Sequence, residues 1–426
     1  MPVISVIIPG YNNCRYIGQC IASATGQSFR DIEVIVVDDC STDGTVEVVQ
    51  GIAEQDPRVR LLRHAENQGT LAARKTGALA STGRYVMLID QDDEFTPGSF
   101  AKLVDFAAQH PADIYHFAVT VDAANEAAAR VAPGMEHALT PTFPELHGAE
   151  ILRRQFSPTE GFDWLVHHRM FDGDFLRRAY AMAPDTRLVL ADDYFMTFII
   201  DSLAHEYRST TEPWYVYHLG RGDTYGKAMT LDSYLTLSER NAKAYRLVEA
   251  FANTHRQEIP RDDWDARVKD ALDKIIEQNM SEWKDNLPRE YRVEALHAIE
   301  DQWPHDALCG ELYRLVRDYA YEVFTAQDRT TPQALHSRDL ALFYLELAEA
   351  LERKYPMEDS TNQRYHAMRD IAFTHLRDSG LIAAEPDADT GTAETPEPAP
   401  AEPATSASPR RSWAARVRSA FGRLFR

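Results

Sequence analysis

Tyr85-Val86-Met87-Leu88-Ile89-Asp90-Gln91-Asp92-Asp93 is the stretch on which the fold turns. An unbroken apolar run gives way at once to three carboxylates within four positions. A short continuous apolar run bounded this way reads as a strand covered on both faces, the kind found in parallel sheets. Acids crowded at its carboxyl end sit where open α/β sheets place their ligands.

Working outward, the same grammar repeats. Val3 to Ile8 reads as a strand ended by Pro9-Gly10, Ile32 to Val37 as a second ending in Asp38-Asp39, and Val59 to Leu62 as a third. Helical patterns lie between them: Ile17, Ile21 and Ala24 share one face, and Val46, Val49 and Ile52 share another behind a cap at Ser41, Thr42 or Asp43. Gly69 to Ala80 reads as a third helix. The alternation predicts an α/β, Rossmann-like architecture, a mostly parallel sheet with flanking helices, with both acidic clusters on one edge. Further on, Ile114 to Val121 and Tyr207 to His218 read as strands and Asp192 to Leu203 as a helix.

From about Leu231 to Asp378 the pattern is helical and charged, broken at Pro260 and Pro288. Its tryptophans, Trp264, Trp283 and Trp303, fit a helical core, or else an acceptor-binding or oligomerising module. Residues 385–409 hold six prolines, six acids and no basic residue, the composition of a disordered linker. Residues 410–426 hold six arginines and no acid. On a helical wheel Trp413, Val417, Ala420, Phe421 and Leu424 share a face, with Phe425 at its border, and Arg411, Arg416, Arg418, Arg423 and Arg426 fall on the other face or at its edges. That pattern fits an interfacial membrane helix, or docking onto the acidic body or a partner. The expected domains are 1–225, 226–384, 385–409 and 410–426.

Across 426 residues, 45 Lys+Arg stand against 66 Asp+Glu, a net charge of −21. Such a body is not built to neutralise phosphates along a nucleic acid. Cys14, Cys20, Cys40 and Cys309 form no CxxC pair, which fits a reducing compartment. The start, Met1 to Pro9, lacks a basic n-region, and no run reaches the roughly 18 apolar residues of a membrane span. The expectation is a cytoplasmic protein, peripheral at the inner face of the cell membrane.

Asp90 and Asp92, at alternate positions after a strand, can point into one pocket and suit Mg²⁺ or Mn²⁺ with phosphate oxygens completing the shell. The bland alternative is an acidic turn capping the next helix. Other motifs accompany it: Pro9-Gly10-Tyr11-Asn12 after strand one, Asp38-Asp39-Cys40-Ser41-Thr42-Asp43-Gly44-Thr45 after strand two, and Asn67-Gln68-Gly69, Ala73-Arg74 and Gly77 opening helix three. In this order and spacing they resemble the nucleotide-sugar half of family 2 glycosyltransferases with the GT-A fold, over roughly residues 1–225.

The resemblance implies an inverting, metal-dependent hexosyltransferase using a nucleoside-diphosphate sugar, a UDP-sugar by its base-binding residues, and Mn²⁺ or Mg²⁺ as cofactor. The acceptor it implies is a hydroxyl of a glycan or lipid-linked molecule, in cell-surface polysaccharide synthesis. Within Ala191-Asp192-Asp193-Tyr194-Phe195 it makes Asp193 the general base, with Asp192 in place of the commoner Glu. It places Pro9, Tyr11 and Asp39 around the nucleotide base, Asp90 at the ribose or a metal-bound water, Asp92 on the metal and Arg74 on the diphosphate. Tyr217-His218, near Arg221-Gly222-Asp223-Thr224, resembles the segment that closes over diphosphate and metal, with His218 as a metal ligand. Lys75 stands where the family's commoner residue is Asn, and Asp223-Thr224 where small hydroxyl residues are commoner. Structural alternatives remain at several positions: a turn cap at Asp38, an ion pair at Arg74, a hydrogen-bonded strand end at His218 and a helix cap at Asp193. A nucleotidyltransferase would want a Gly-rich basic loop after strand one, which Pro9-Gly10-Tyr11-Asn12-Asn13 does not supply. A non-catalytic sugar-binding scaffold on this fold is the alternative from another class.

Overall fold

Apolar runs become the strands β1 (Ile4–Gly10), β2 (Ile32–Asp38), β3 (Val59–Arg63) and β4 (Tyr85–Leu88), which pair in parallel in the order β3-β2-β1-β4. The structure, a computed structural model, describes residues 1–221 and 229–383. The Gly222-Asp223-Thr224 segment, the linker 385–409 and the terminal segment 410–426 lie outside the described residues. Strands β1 and β2 are buried along their whole length because both faces are covered. On one face Ile4, Val6 and Ile8 meet Ile17, Cys20 and Ile21 of α1 (Ile17–Thr25), which lies ahead of α2 (Thr45–Ala53). On the other, Ile35 and Val37 pack with Ala73 of α3 (Thr70–Ala80). Gly77 permits that approach, since a Cβ there would run into the Ile7 side chain.

Beyond β4 come β5 (Glu94–Phe95), α4 (Ser99–Gln109), β6 (Ile114–Ala123), α5 (Glu126–Ala138), β7 (Glu145–His147), α6 (Ala149–Gln155), β8 (Arg169–Asp172), α7 (Gly173–Met182), α8 (Asp192–Leu203) and β9 (Glu206–Leu219). The sheet continues from β4 as β8-β6-β9-β5, with β7 on β9. β8 runs antiparallel to both β4 and β6, while β6 and β9 are parallel, so the sheet is parallel in its first half and mixed in its second. Its four-residue run, Arg169-Met170-Phe171-Asp172, carries too little pattern to be recognised as a strand beforehand.

Two long helices follow, α9 (Leu231–His255) and α10 (Trp264–Asp285), and Pro260 and Pro288 fall in the breaks that flank α10. Thr230 and Ser233 cap the start of α9 reciprocally. These helices belong to the same compact unit as the sheet, Met1–Arg292, so compactness extends well past the compositional boundary at 225. Trp264 and Trp283 are core residues of that unit.

The second unit begins at Val293. It comprises most of α11 (Arg292–Ile299), then α12 (His305–Thr325), α13 (Pro332–Lys354) and α14 (Gln363–Asp378). Leu312, Val316, Tyr344, Ala348, Ala372 and Leu376 are buried in it, and Trp303 is too. Gly310 allows α12 to approach α14, since a Cβ there would lie 3.2 Å from the Cα of Tyr365. Among the described residues no helix is long and apolar enough to cross a membrane.

Candidate active site

The carboxyl edge of the parallel strands gathers most of the expected residues. Pro9 lies in the buried run of β1, one residue before its end. Tyr11 follows the strand, 45 % exposed, while its backbone N–H and carbonyl pair with the Gln91 side chain at 2.8 and 3.1 Å. The amide of Gln91 thereby ties the loop after β1 to the acidic segment after β4.

Asp39 is buried, and its carboxylate is already occupied by protein donors. Oδ1 accepts from the Gln68 amide at 2.9 Å and meets His64 Nδ1 at 2.7 Å, while Oδ2 accepts from the Gly69 amide at 2.8 Å. The residue expected at a nucleotide base therefore also fixes the loop that starts α3. Asp38 accepts from the Ser41 amide at 3.3 Å, so the turn-cap alternative describes its contact.

Arg74 projects from α3 and is 2 % exposed. Its Nη2 donates to Asp90 Oδ1 at 2.7 Å, and its Nη1 donates to Asp192 Oδ2 at 2.8 Å and to Asp193 Oδ1. The guanidinium expected on a diphosphate is instead committed to three carboxylates. Burial would raise the Asp90 carboxyl, but the Arg74 charge beside it holds it below the ordinary carboxylate range. Asp192 is raised, by burial first. Asp193 is pushed up to about 7 by burial, with Asp192 and Asp90 adding to the rise and Arg74 opposing it. Asp193 heads α8 and keeps 18 % of its side chain exposed, whereas Asp192 keeps 4 %.

The run into this helix is bent. Leu190 and Ala191 both adopt left-handed φ values, 60° and 53°, which non-glycine residues rarely take. The preceding turn presses on the start of α3: the Leu71 amide donates to the Leu188 carbonyl at 3.3 Å, and Gly69 (φ 88°) leaves room for that carbonyl. Lys75, the departure from the family pattern, donates to the Ala183 carbonyl and to Asp185, each at 2.6 Å. It tethers the other end of the same segment.

The acids after β4 divide by environment. Asp93 is buried and accepts from Tyr215 Oη and from the His218 amide, both at 2.7 Å, which fastens the cluster to β9. Burial raises its carboxyl, and the nearby Asp92 and Asp90 raise it further. Asp92 is half-buried and Asp90 keeps 33 % of its side chain exposed. Like charges at this density and the hard oxygen donor of Asp92 fit a divalent cation at Asp92. His218 is buried, with Nδ1 facing Asp122 Oδ2 at 2.8 Å and Nε2 facing Glu94 Oε1 at 3.0 Å. For His218 to ligate a metal, one of those contacts must open to free a lone pair.

Four residues here belong to no motif: His64, Asp122, His167 and Tyr215. Only their long-range contacts reveal them. A separate His/Asp group, His116, Asp163 and His168, is wholly buried. Asp163 Oδ1 meets His168 Nε2 at 2.8 Å and the Leu165 amide at 3.0 Å, with Arg169 3.7 Å away. His168 Nδ1 faces the Phe117 carbonyl at 2.7 Å, and His116 Nδ1 meets Tyr207 Oη at 2.7 Å. The group ties β6, β8 and β9 together, and the Arg169 cation already faces its carboxylate.

Comparison with known proteins bears on the family and the fold. The model of "Glycosyl transferase family 2" matches residues 5–181. An uncharacterized glycosyltransferase of Haemophilus influenzae is 39 % identical over 110 residues, 26 % of this chain and 44 % of the relative. Succinoglycan biosynthesis protein ExoO of Rhizobium meliloti is 30 % identical over 226 residues, 52 % of this chain and 62 % of the relative. In both cases the chain spans less than two thirds of the relative's length. Among solved structures, residues 1–349 of S. aureus TarS in complex with UDP-GlcNAc align with a TM-score of 0.52 at 17 % identity, covering 83 % of this chain and 92 % of that one. That likeness is one of fold.

Proposed function

We infer the chemistry from the family to which this chain belongs, glycosyl transferase family 2 with a GT-A fold. The chain transfers a sugar from a nucleoside-diphosphate sugar, UDP-linked, to a hydroxyl of a glycan or lipid-linked acceptor, with inversion, in the synthesis of a surface polysaccharide. The observation that carries this is Asp193: a carboxyl pushed up to about 7, partly open to solvent, and joined through Arg74 to Asp90 of the acid cluster. A base with that affinity takes a proton from an acceptor hydroxyl at neutral pH as the hydroxyl attacks. A relative named for succinoglycan biosynthesis, ExoO, supports the direction of the assignment.

Each residue has a part. Pro9, the exposed Tyr11 and Asp39 flank the nucleotide base. Asp90 meets the ribose, and Asp92 would hold Mn²⁺ or Mg²⁺, with His218 able to join it only if its contact with Glu94 or Asp122 opens. A divalent ion there offsets the charge that develops as the nucleoside diphosphate departs. Arg74 acts first on the carboxylates and reaches the diphosphate only by exchanging one of them.

The test is direct. Calorimetric titration of the full chain with UDP-, GDP- and dTDP-sugars, with and without Mn²⁺, is expected to show UDP-sugar binding that needs the metal. Failure of every nucleotide sugar to bind would overturn the assignment.

The basic terminal segment adds a location. Residues 410–426, whose sequence sets Trp413, Phe421 and Leu424 among six arginines and no acid, would seat the enzyme on an anionic membrane face at the cytoplasmic side, near a lipid-linked acceptor. Deleting 410–426 is expected to abolish co-sedimentation with anionic vesicles. Undiminished sedimentation would refute the anchor.

A further inference from the structure

His167 lies just ahead of β8, 2 % exposed, with both ring nitrogens buried and without hydrogen-bond partners. Buried polar atoms in folded proteins almost always find partners, so two orphans on one ring call for a role. The ring is held in place by aromatic neighbours. It stacks on Tyr215 with centroids 4.8 Å apart and on Tyr217 at 5.7 Å, the second pair only 14° from parallel. Tyr215 in turn donates to Asp93 and accepts weakly from the Asp90 amide at 3.4 Å. The wall that fixes the imidazole is therefore the wall that fixes the acid cluster.

One nitrogen has an obvious destination. His167 Nδ1 stands 3.6 Å from Asp90 Oδ2, just beyond hydrogen-bond reach, while Asp90 Oδ1 is taken by Arg74. Oδ2 is the oxygen that Arg74 leaves free. Burial pushes the imidazole down to about 3, so it is neutral at physiological pH, with one N–H to give and one lone pair.

We propose that His167 is a positioning residue of the donor site: its Nδ1–H closes onto Asp90 Oδ2 when nucleotide sugar binds and holds that carboxylate in the orientation the donor needs. The proposal rests on the assignment of Asp90 to donor binding made above. It makes Asp90 a doubly held carboxylate, with a guanidinium on one oxygen and an imidazole on the other, the two partners coming from α3 and from the approach to β8. No covalent step is involved. The effect falls on donor affinity more than on the rate of transfer.

The experiment compares donor KM, kcat and calorimetric Kd for the wild type, H167F and H167N. Phe keeps the stacked ring and removes the donor, whereas the Asn amide nitrogen overlays Nδ1. H167F is expected to raise donor KM and Kd about tenfold, the usual loss for one hydrogen bond to a charged group, with kcat within about twofold. H167N is expected to recover most of that loss. In a D90N background the H167F effect should vanish, because its only route is through Asp90. If H167F fails to fold, H167Q, with its amide one bond further out, replaces it against H167N. Unchanged affinity in H167F, or the same loss with Asp90 already replaced, would overturn the role of His167 alone. A wild-type chain that binds no nucleotide sugar would overturn the donor-site assignment and this role with it.

Discussion

Arg74 donates through Nη1 to Asp193, and the same guanidinium donates through Nη2 to Asp90 at 2.7 Å. One buried cation thus spans from the expected base at the head of α8 to the acid cluster after β4. Removing it leaves Asp90, Asp192 and Asp193 facing one another without a counter-charge. Breaking a buried pair from one side is far costlier than the pair's net contribution, because the remaining charges stay buried. Arg74→Met is expected to destabilise the chain by about 3–5 kcal/mol. Urea denaturation followed by circular dichroism measures it. The double variant Arg74→Met/Asp192→Asn should recover part of the loss, and a single variant of undiminished stability would show that the guanidinium is dispensable.

Asp193 dictates a pH dependence whose sign can be worked out. In the proposed role of base it must be ionised, and its carboxyl is pushed up to about 7, chiefly by burial. Transfer is therefore expected to be weak in mild acid, with kcat/KM climbing through pH of about 7 to a plateau above it. The limb belongs to Asp90, Asp192 and Asp193 as an interacting set. The same shift makes this group's contribution to folding stability fall as pH rises from about 4 to about 7, since the native state holds the proton more tightly than the unfolded chain. Asp193→Asn should lower kcat by about 10²–10⁴ and leave donor Kd nearly unchanged. A wild-type limb near pH 4 would remove the raised carboxyl from the mechanism.

What the sequence could show depended on distance along the chain. Strands such as Ile32–Asp38 and the helix Asp192–Leu203 were legible because their patterns lie within a few consecutive residues. The acids at strand ends were legible for the same reason. Arg74 and Asp192 lie 118 positions apart, and no local pattern records that they touch. Nor does any pattern say that the Gln68 and Gly69 amides and His64 already occupy the Asp39 carboxylate, or that three carboxylates take up the Arg74 guanidinium expected to serve a ligand. The short β8 is the extreme case: it is a strand because β4 and β6 flank it, and its own four residues are not enough to declare it.

Asp92 and Asp93 are neighbours whose substitution should have opposite consequences. Asp92 is half-buried in the expected metal position, whereas Asp93 is buried and holds Tyr215 and the His218 amide. Asp92→Ala should abolish activity and the calorimetric signature of Mn²⁺ while the thermal midpoint moves little. Asp93→Asn should keep the Mn²⁺ response but lose about 1–3 kcal/mol, the cost of a poorly matched buried hydrogen bond. EDTA should silence the wild type, with activity restored by Mn²⁺ or Mg²⁺. Activity that survives exhaustive chelation would show that Asp92 serves the donor without a metal.

Gly69 tests whether the base depends on the turn that leads to it. Its φ of 88° suits glycine, and a Cβ would stand 2.7 Å from the Leu188 carbonyl oxygen and 2.9 Å from Val189 Cγ2. A backbone carbonyl cannot swing away as a long side chain can, so Gly69→Ala must displace the turn or the start of α3. The turn runs directly into the left-handed pair Leu190-Ala191 and then into Asp192 and Asp193. Strain at one such position costs about 1–3 kcal/mol, which denaturant unfolding measures. The displacement should also lower kcat more than it raises donor KM, because the base moves while the acids after β4 do not. Equal changes in the two constants would place the strain on the donor side, where the Gly69 amide donates to Asp39 at 2.8 Å.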